Sequence, residues 1–387
     1  MKTLIKYVVG IDIAKDKFDA CLMSVDLELN HKVKSTHKFS NNPKGFKELL
    51  LWQKKHCEEI VPVQLLMEAT GVYHEKLAIW LTDQKLRVFV VLPNKARKFM
   101  QALGLKSKND KIDAQGLALM CAQHKFDLWQ PIAKYFYELR LLTRHYQSTQ
   151  EARTIFMNQQ HALHHSGYSS KIVSKQLEKT IKHFEKQVKE GKQNIIEYIN
   201  SNDEIKRKVS QICKIKGVDV LTVATVIAET NGFELFKNIR QVVSYAGYDV
   251  IENQSGKHVG KTRISKKGNS RIRRILHMPA FNVVRFEELS FVNLYKRVFN
   301  NSKMKMKAYV AVQKKLLEII YTLWKKDQAY EKHYNQDATS GNDEFRVLFP
   351  FLKQEKKNNP IKEVVPPFGS TTQDEHRYKE SSEVLFP

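Results

Sequence analysis

Cysteine is scarce in this chain of 387 residues, which contains only Cys21, Cys57, Cys121 and Cys213. The four lie far apart in the sequence and never form a Cys-X-X-Cys pair. Neither a zinc knuckle nor a disulfide framework is therefore indicated. We expect these residues to be reduced thiols in the protein core.

Long apolar runs are also missing. No run approaches the roughly 20 residues that a membrane-spanning helix needs. The first residues, MKTLIKYVVGIDIAKDKFD, become charged too early for a signal peptide. The sequence therefore predicts a soluble intracellular protein with no membrane partner.

Acidic residues are few relative to basic ones. The chain has 41 Asp and Glu against 65 Lys and Arg, which gives a formal net charge of +24 and a pI near 9.6. Such an excess favours a polyanionic partner, and without a membrane segment the partner is expected to be nucleic acid. Hydrophobic residues make up 42% of the chain, enough for two or three domains with buried cores.

The first hundred residues alternate between strand and helix patterns. Three successive strand-like segments cover residues 7–14, 18–25 and 32–40, and two more, at 63–70 and 87–93, alternate with helical patterns. This order predicts a meander followed by strand-helix repeats. The expected fold is α/β, a mixed sheet with helices on its faces.

Strand signals stop at about residue 131. A seven-residue apolar repeat then follows, with charged residues between its members: Leu177, Ile181, Phe184, Val188, Ile195 and Ile199. It predicts a long antiparallel coiled-coil arm, with an earlier helix over 136–163 and a tip at 164–170. Residues 212–326 look helical and compact, whereas 331–387 collect Pro, Ser, Asn and acidic residues and predict a flexible tail.

Four carboxylates in the first half attract attention. Asp110 and Asp113 would share a helix face if a helix begins near Asn109, although an isolated pair of this kind is commonly a solvated helix start. Asp12 lies inside the apolar strand VVGIDIA, and Glu68 ends the strand-like QLLMEAT. An unpaired carboxylate in such a strand costs several kcal/mol. Converging carboxylates are the ligands of hard divalent cations, which commonly act in pairs in phosphoryl transfer.

The second half carries a basic stripe. Between residues 257 and 274 there are eight cations and no acidic residue: Lys257, Lys261, Arg263, Lys266, Lys267, Arg271, Arg273 and Arg274. Such a stripe suits a phosphate backbone better than a merely soluble face. Ser255, in NQSGK just before it, would by itself be a turn residue, with no nearby histidine to serve as its base.

These motifs resemble one known family. The segments GIDIAKDKFDACL, MEATGVYHEKLAIWL and VLPNKARKFMQALGLKSKNDKIDAQGLA are similar to the RuvC-like DEDD domain of bridge-RNA-guided insertion-sequence transposases. Residues 213–276, with YAG, QSGK and ISKKGNSRIRR in order, are similar to the C-terminal domain of the same family. The likeness covers about 7–326. It departs at Gly217-Val218-Asp219, where the family usually has a Gly-Ile-Gly hairpin, and at Tyr248 and Val250, which replace a common Leu and Pro. An aspartate at that hairpin argues against a phosphate contact there.

The resemblance implies an architecture. Residues 1–130 would form a ribonuclease-H/RuvC-like domain, 131–205 the coiled-coil arm, 206–330 a mainly helical catalytic domain and 331–387 the tail. Asp12, Glu68, Asp110 and Asp113 fall on the family's D, E, D and D positions and would hold Mg²⁺, two ions per site. Ser255 falls on the serine that attacks the DNA phosphate, and metal-assisted activation would replace the missing base.

The same resemblance implies partners: donor and target DNA duplexes, a structured guide RNA and further copies of the chain in a dimer or tetramer. The protein would be cytoplasmic and associated with the nucleoid when active. Three alternatives stay open. A nuclease or junction resolvase would use the four carboxylates with water as nucleophile, a silent nucleic-acid binder would need only the basic stripe, and a site-specific DNA invertase would share every residue.

Overall fold

A mixed five-stranded sheet forms the N-terminal part of the molecule. A computed structural model describes residues 3–104, 109–256, 258–260 and 262–331, all within one compact unit, Met1–Lys332. The strands are β1 (Leu4–Ile13), β2 (Lys17–Asp26), β3 (His31–Ser40), β4 (Val63–Glu68) and β5 (Arg87–Val91). Their order is β3-β2-β1-β4-β5, with β1, β2 and β3 antiparallel and β4 and β5 parallel to β1. The predicted meander and mixed α/β sheet are confirmed.

Helices cover both faces of this sheet. They are α1 (Pro43–His56), α2 (Glu75–Asp83), α3 (Pro93–Ala102) and α4 (Asp110–Gln123). Side chains of β1 alternate between two cores: Val9 and Ile11 pack with Phe46 and Leu77 of α1 and α2, whereas Val8 packs with residues of α4. Burial on both faces explains why β1 is a nearly continuous apolar run.

Two long helices follow, α5 (Lys134–His164) and α6 (Lys171–Asn200). They run antiparallel, since the rings of Tyr135 and Tyr198 stack at 4.8 Å near one end and those of Phe156 and Phe184 at 5.6 Å further along. Within the predicted apolar repeat, Ile181, Ile195 and Ile199 are buried. The helical hairpin agrees with the sequence pattern, and its supercoiling stays a prediction.

The rest of the described chain is mainly helical. Its helices are α7 (Asp203–Ile212), α8 (Val220–Thr230), α9 (Ile239–Tyr245), α10 (Ser270–Ile275), α11 (His277–Arg285), α12 (Leu289–Ser302) and α13 (Lys305–Lys326). Apolar α8 is buried from Leu221 to Thr230, as its composition predicts. Asp219 of the unusual hairpin caps α8 by accepting from the Thr222 amide at 2.9 Å, so this residue has a structural task.

Four two-residue strands interrupt the helices, and the sequence pattern did not predict them. They are β6 (Val250–Ile251), β7 (Gln254–Ser255), β8 (His258–Val259) and β9 (Arg263–Ile264). β6 pairs with β9 and β7 with β8, both antiparallel. Segments this short show no readable periodicity, which explains why they were missed.

The boundaries of the expected domains are less sharp than the sequence suggests. Leu139 of α5 and Ile195 and Ile199 of α6 belong to the same hydrophobic core as α8 and α13, so the base of the arm is part of the C-terminal core. The divisions at 130, 205 and 330 stay predictions. Beyond Glu331 the predicted tail lies outside the described residues.

The four cysteines are free thiols, as expected, with Cys21 and Cys121 buried and Cys57 and Cys213 partly buried. In the part of the chain that the structure describes, no helix is both long and apolar enough to cross a membrane.

Candidate catalytic site

Two of the predicted carboxylates lie side by side at one edge of the sheet. β1 and β4 are parallel, with Ile11 beside Met67, so Asp12 and Glu68 occupy the next position on each strand. Both side chains are partly buried. The carboxyl ends of these two strands therefore present acidic groups at the same place, as the sequence predicted.

The other two carboxylates come from the first turn of α4. Asn109 caps this helix by accepting from the Ile112 amide at 2.9 Å, so Asp110 is its first residue and Asp113 lies in its first turn. The predicted helix start near Asn109 is confirmed. The spacing of three places both aspartates on one side of the helix.

Gly10 lets α4 lie directly on β1. A Cβ atom at Gly10 would stand 2.1 Å from the nitrogen of Ala118 and 2.2 Å from the oxygen of Ala114, far inside contact distance. A glycine two residues before Asp12 is thus needed for the approach of the helix that carries Asp110 and Asp113. The sequence contains this glycine, but its reason lies in the tertiary packing.

The negative charges of the other three carboxylates act on Asp12. The pKa of Asp12 is raised to about 6, first by burial and then by the negative charges of Asp113, Asp110, Glu68 and Asp19. Like charges disfavour ionisation when they are close together in a partly desolvated site. Each of the other three predicted residues therefore acts on Asp12.

Two further charged residues lie at this edge of the sheet, and the sequence analysis did not identify them. Asp19 lies directly opposite Asp12 on β2, and Lys38 lies opposite Asp19 on β3. The Lys38 Nζ is 3.2 Å from Asp19 Oδ2 and 3.8 Å from Asp110 Oδ2. The pKa of Lys38 is raised by its hydrogen bond to Asp19 and by the charge of that carboxylate. The hairpin register, with Ala14 N donating to Lys17 O, is the signal that would have paired these positions.

The oxygen chemistry of this set fits a hard divalent cation, because Mg²⁺ and related ions prefer carboxylate oxygens. These carboxylates do not form a closed ligand shell. Within the described residues, no three His, Cys, Asp or Glu side chains stand close enough together to hold a metal ion. Lys38 instead supplies positive charge between Asp19 and Asp110. The donors are thus suitable in kind and gathered at one edge, without forming a closed coordination sphere.

Ser255 lies on a different element. It ends β7, and Gly256 follows it with φ +55°, a left-handed conformation that favours glycine. This is the tight turn that the motif predicts, and the Ser255 side chain is exposed. Among the described residues, Ser255 forms no hydrogen bond with Asp12, Asp110 or Asp113.

The expectation that no histidine lies near Ser255 is wrong. His258 is paired directly with Ser255 across the β7–β8 hairpin. Residues directly opposite each other in an antiparallel pair point to the same face, with Cβ atoms roughly 4.5–5.5 Å apart. The His258 imidazole and the Ser255 hydroxyl therefore lie on the same face of the hairpin.

The described part of the basic stripe contains exposed cations and cations with internal partners. Arg263, Lys266 and Lys267 are exposed. Arg273 donates to the carbonyl of Ala246 at 2.8 Å, and Arg274 forms an ion pair with Glu151 of α5. The last two members therefore have internal partners. Arg271 is partly buried, and the predicted contacts Lys257 and Lys261 lie outside the described residues.

Comparisons with known proteins place the chain. A DEDD transposase model matches residues 9–165, and the model of the Transposase IS116/IS110/IS902 family matches residues 209–296. Pilin gene-inverting proteins of Moraxella bovis and Moraxella lacunata are each 29% identical over 332 residues, which cover 86% of this chain and 99% of theirs.

Two solved structures share weaker likenesses. Thermus thermophilus RuvC, in complex with a Holliday junction substrate, is 13% identical and covers 30% of this chain and 91% of its own, with a TM-score of 0.23. An Aquifex aeolicus member of the Ppx/GppA family is 11% identical and covers 84% of this chain and 92% of its own, with a TM-score of 0.20. Neither likeness extends the description of the fold.

The two family models together match more than half of the chain: one spans the mixed sheet with its carboxylates and helix α5, and the other spans the helical region that contains Ser255. The chain therefore belongs to the IS116/IS110/IS902 transposase family and is a DNA-recombining enzyme.

Proposed function

We propose that the protein is an RNA-guided, Mg²⁺-dependent DNA recombinase that cuts and rejoins donor and target DNA through a covalent phosphoserine. The observation that carries this proposal is the gathering of Asp12, Glu68, Asp110 and Asp113 at one edge of the sheet, where each of the other three raises the pKa of Asp12. Carboxylates whose charges act on Asp12 in this way favour a compensating cation. Phosphoryl transfer on DNA is the chemistry that such a site serves.

Enzymes of this DEDD type generally use divalent metal ions. In our proposal the four carboxylates would hold two Mg²⁺ ions, which when bound polarise the phosphate and lower the pKa of a coordinated hydroxyl. Lys38 would give up its contact with Asp110 as positive charge enters the site. Asp19 would keep Lys38 at the site after the contact with Asp110 is lost. The Lys38–Asp19 contact, at 3.2 Å, is shorter than the Lys38–Asp110 contact.

Ser255 is the proposed nucleophile. Its Oγ loses its proton and forms a bond to the DNA phosphorus, the bond from phosphorus to a deoxyribose oxygen breaks, and that oxygen takes up a proton as it leaves. The phosphoester preserves the energy of the broken bond, so attack by a new DNA hydroxyl rejoins the strand and frees the serine. Exposure on a tight turn supports this role, because a duplex can reach the hydroxyl. Arg263 and Lys266 would stabilise charge on the phosphoryl oxygens.

Exchange between two duplexes requires more than one active site, so we propose that the chain works as a dimer or tetramer. The arm supports assembly, since large apolar side chains near its tip are exposed, including Tyr168 at 96% and Ile172 at 73%. Light scattering with and without nucleic acid measures the mass. A monomer in both conditions would contradict this part of the proposal.

The guide RNA and the metal are tested separately. We expect one structured RNA to copurify with the expressed protein, and its sequencing identifies the guide. Recombination that survives complete removal of RNA would contradict guidance by RNA.

The metal site is tested by substitution. Asp110→Asn and Asp12→Asn should each abolish recombination while the fold is retained, and full activity in either variant would exclude the proposed metal site.

Site-specific inversion is a second candidate. The Moraxella relatives, which match 86% of this chain, are named as pilin gene-inverting proteins. Inversion and transposition use the same cutting and rejoining steps and differ in the arrangement of the DNA sites. A plasmid that carries the flanking DNA of the gene in inverted orientation distinguishes the two activities. Inversion of the DNA between the flanks supports an invertase, and movement of that DNA to another plasmid supports a transposase.

A further inference from the structure

A charged carboxylate is completely buried in the C-terminal core. Glu229 of α8 is 0% exposed, and its two oxygens accept from Arg144 of α5 at 2.7 and 2.9 Å. Burial alone would raise the pKa of Glu229, but hydrogen bonds from Arg144 and Asn269 and the charges of Arg144 and Arg140 hold it below its ordinary value. Glu229 is therefore a carboxylate anion at neutral pH and depends on all its donors.

Asn269 connects this anion to the basic stripe. Its Nδ2 donates to Glu229 Oε2 at 2.7 Å. Its Oδ1 accepts from the amides of Arg271 and Ile272, at 3.0 and 3.2 Å, and so caps α10. One side chain thus fixes the start of α10 to Glu229. The backbone of Glu229 is held as well, because the Tyr245 hydroxyl donates to the Glu229 carbonyl at 3.1 Å.

The partners of this network on α5 share one face of that helix. Tyr137, Arg140, Arg144 and Glu151 are spaced by three, four and seven residues, which aligns them along the helix. Arg140 donates to the carbonyl of Ala228 at 3.1 Å, and Glu151 pairs with Arg274 of α10. This face therefore holds α8 and α10 together by side-chain contacts.

The same face also reaches the carboxylate domain. The Tyr137 hydroxyl donates to Glu75 Oε2 at 2.8 Å, and Glu75 is the first residue of α2. Helix α2 follows β4 and its last residue, Glu68, after a short turn. Hydrogen bonds from one face of α5 thus reach α2 through Tyr137 and reach Asn269 and α10 through Arg144 and Glu229.

We propose that the polar face of α5, acting through Glu229 and Asn269, is a positioning device that sets the basic helix α10 relative to the carboxylate domain. The inference rests on the proposed function, in which these two parts act on the same DNA. Glu229 and Asn269 touch no DNA in this scheme and are positioning residues. Their loss should slow the reaction at saturating DNA and leave DNA affinity unchanged, because the exposed cations that attract the backbone remain.

The substitution Asn269→Asp isolates the connection. Aspartate keeps the oxygen that caps α10 but loses the amide donor and sets a second negative charge beside Glu229. The matched control is Asn238→Asp, the same change at the exposed cap of α9, whose oxygen accepts from the Gln241 amide. The double variant E229Q/N269D exchanges donor and acceptor and should restore the hydrogen bond in the opposite sense.

Three measurements on the full chain decide the inference. For Asn269→Asp, hydrogen exchange over residues 265–276 should be faster by about tenfold or more with residues 4–26 unchanged. The rate of DNA-adduct formation at saturating DNA should fall by about 10²-fold, since small displacements at a reacting centre have effects of this size. Its dissociation constant for DNA should stay within about twofold. The double variant should recover part of both the exchange protection and the rate.

The outcomes are distinguishable. If Asn269→Asp behaves like Asn238→Asp in both exchange and rate, the positioning inference is overturned. A loss of DNA affinity equal to the loss of rate would also overturn it, because the network would then serve binding. If wild-type protein forms no adduct at all, the proposed function fails, while the exchange measurement still decides whether Glu229 and Asn269 hold α10.

Discussion

Asp12 and Asp19 face each other across the antiparallel pair of β1 and β2. Only Asp19 has an ion-pair partner on the next strand, Lys38 at 3.2 Å. Asp12 receives instead the repulsion of every carboxylate around it, and its pKa is raised to about 6. The charges around Asp12 thus disfavour its ionised form at neutral pH.

We expect Asp12→Asn to raise the melting temperature of the protein in EDTA at pH 7.5. The folded-state pKa of Asp12, about 6, lies above its ordinary value of 3.8, so folding favours the protonated form. Stability therefore falls as the pH rises from about 4 to about 6, and the full deficit persists above that range. The advantage of Asp12→Asn should vanish below about pH 4. Asp19→Asn, which breaks the pair with Lys38, is the control and should not stabilise.

Gly10→Ala should destabilise the protein and remove its activity together. The added Cβ would meet the backbone of Ala118 at 2.1 Å, so α4 must move away from β1. Overpacking of this kind typically costs about 1–3 kcal/mol. The control is Gly167→Ala, where an added Cβ meets no atom within 4 Å among the described residues. Chemical denaturation measures both variants, and equal stability would contradict the assigned contact.

Neutralising the exposed part of the basic stripe should weaken nucleic-acid binding at every sequence tested. Replacing Arg263, Lys266 and Lys267 by Gln should reduce the slope of log affinity against log salt by about 0.9 for each phosphate that the protein no longer neutralises. The control removes the same charge from the arm at Lys175, Lys179 and Lys186, which are also exposed. Loss of binding to one sequence only would indicate base readout and contradict a backbone role.

His258→Ala should slow formation of the serine adduct by roughly 10²–10⁴-fold, the usual contribution of a positioned general base. The imidazole lies opposite Ser255 on the same face of the hairpin and can accept the hydroxyl proton as Oγ attacks. Added imidazole should restore part of the rate. An unchanged rate would contradict the role of His258 and mean that another base takes the proton.

The sequence was informative where the signal is local. Asn109 as a helix cap and the spacing of Asp110 and Asp113 predicted their common face, and the apolar run around Asp12 predicted a buried strand. Glu229 and Asn269, forty residues apart, carry no local sign of their contact. Lys38 became visible only through the register of β2 and β3, and the two-residue strands around Ser255 are too short for any periodic pattern.

The measurement that tests the account most directly is the mapping of a covalent adduct. Protein, guide RNA, DNA substrates and Mg²⁺ are incubated, denatured and digested, and the linked peptide is identified by mass spectrometry. We predict a phosphoester on Ser255, which Ser255→Ala abolishes together with recombination while RNA and DNA binding and stability remain, since the exposed hydroxyl makes no core contact. Metal-dependent cleavage by Ser255→Ala, with no adduct in the wild type, would contradict the account and identify water as the nucleophile.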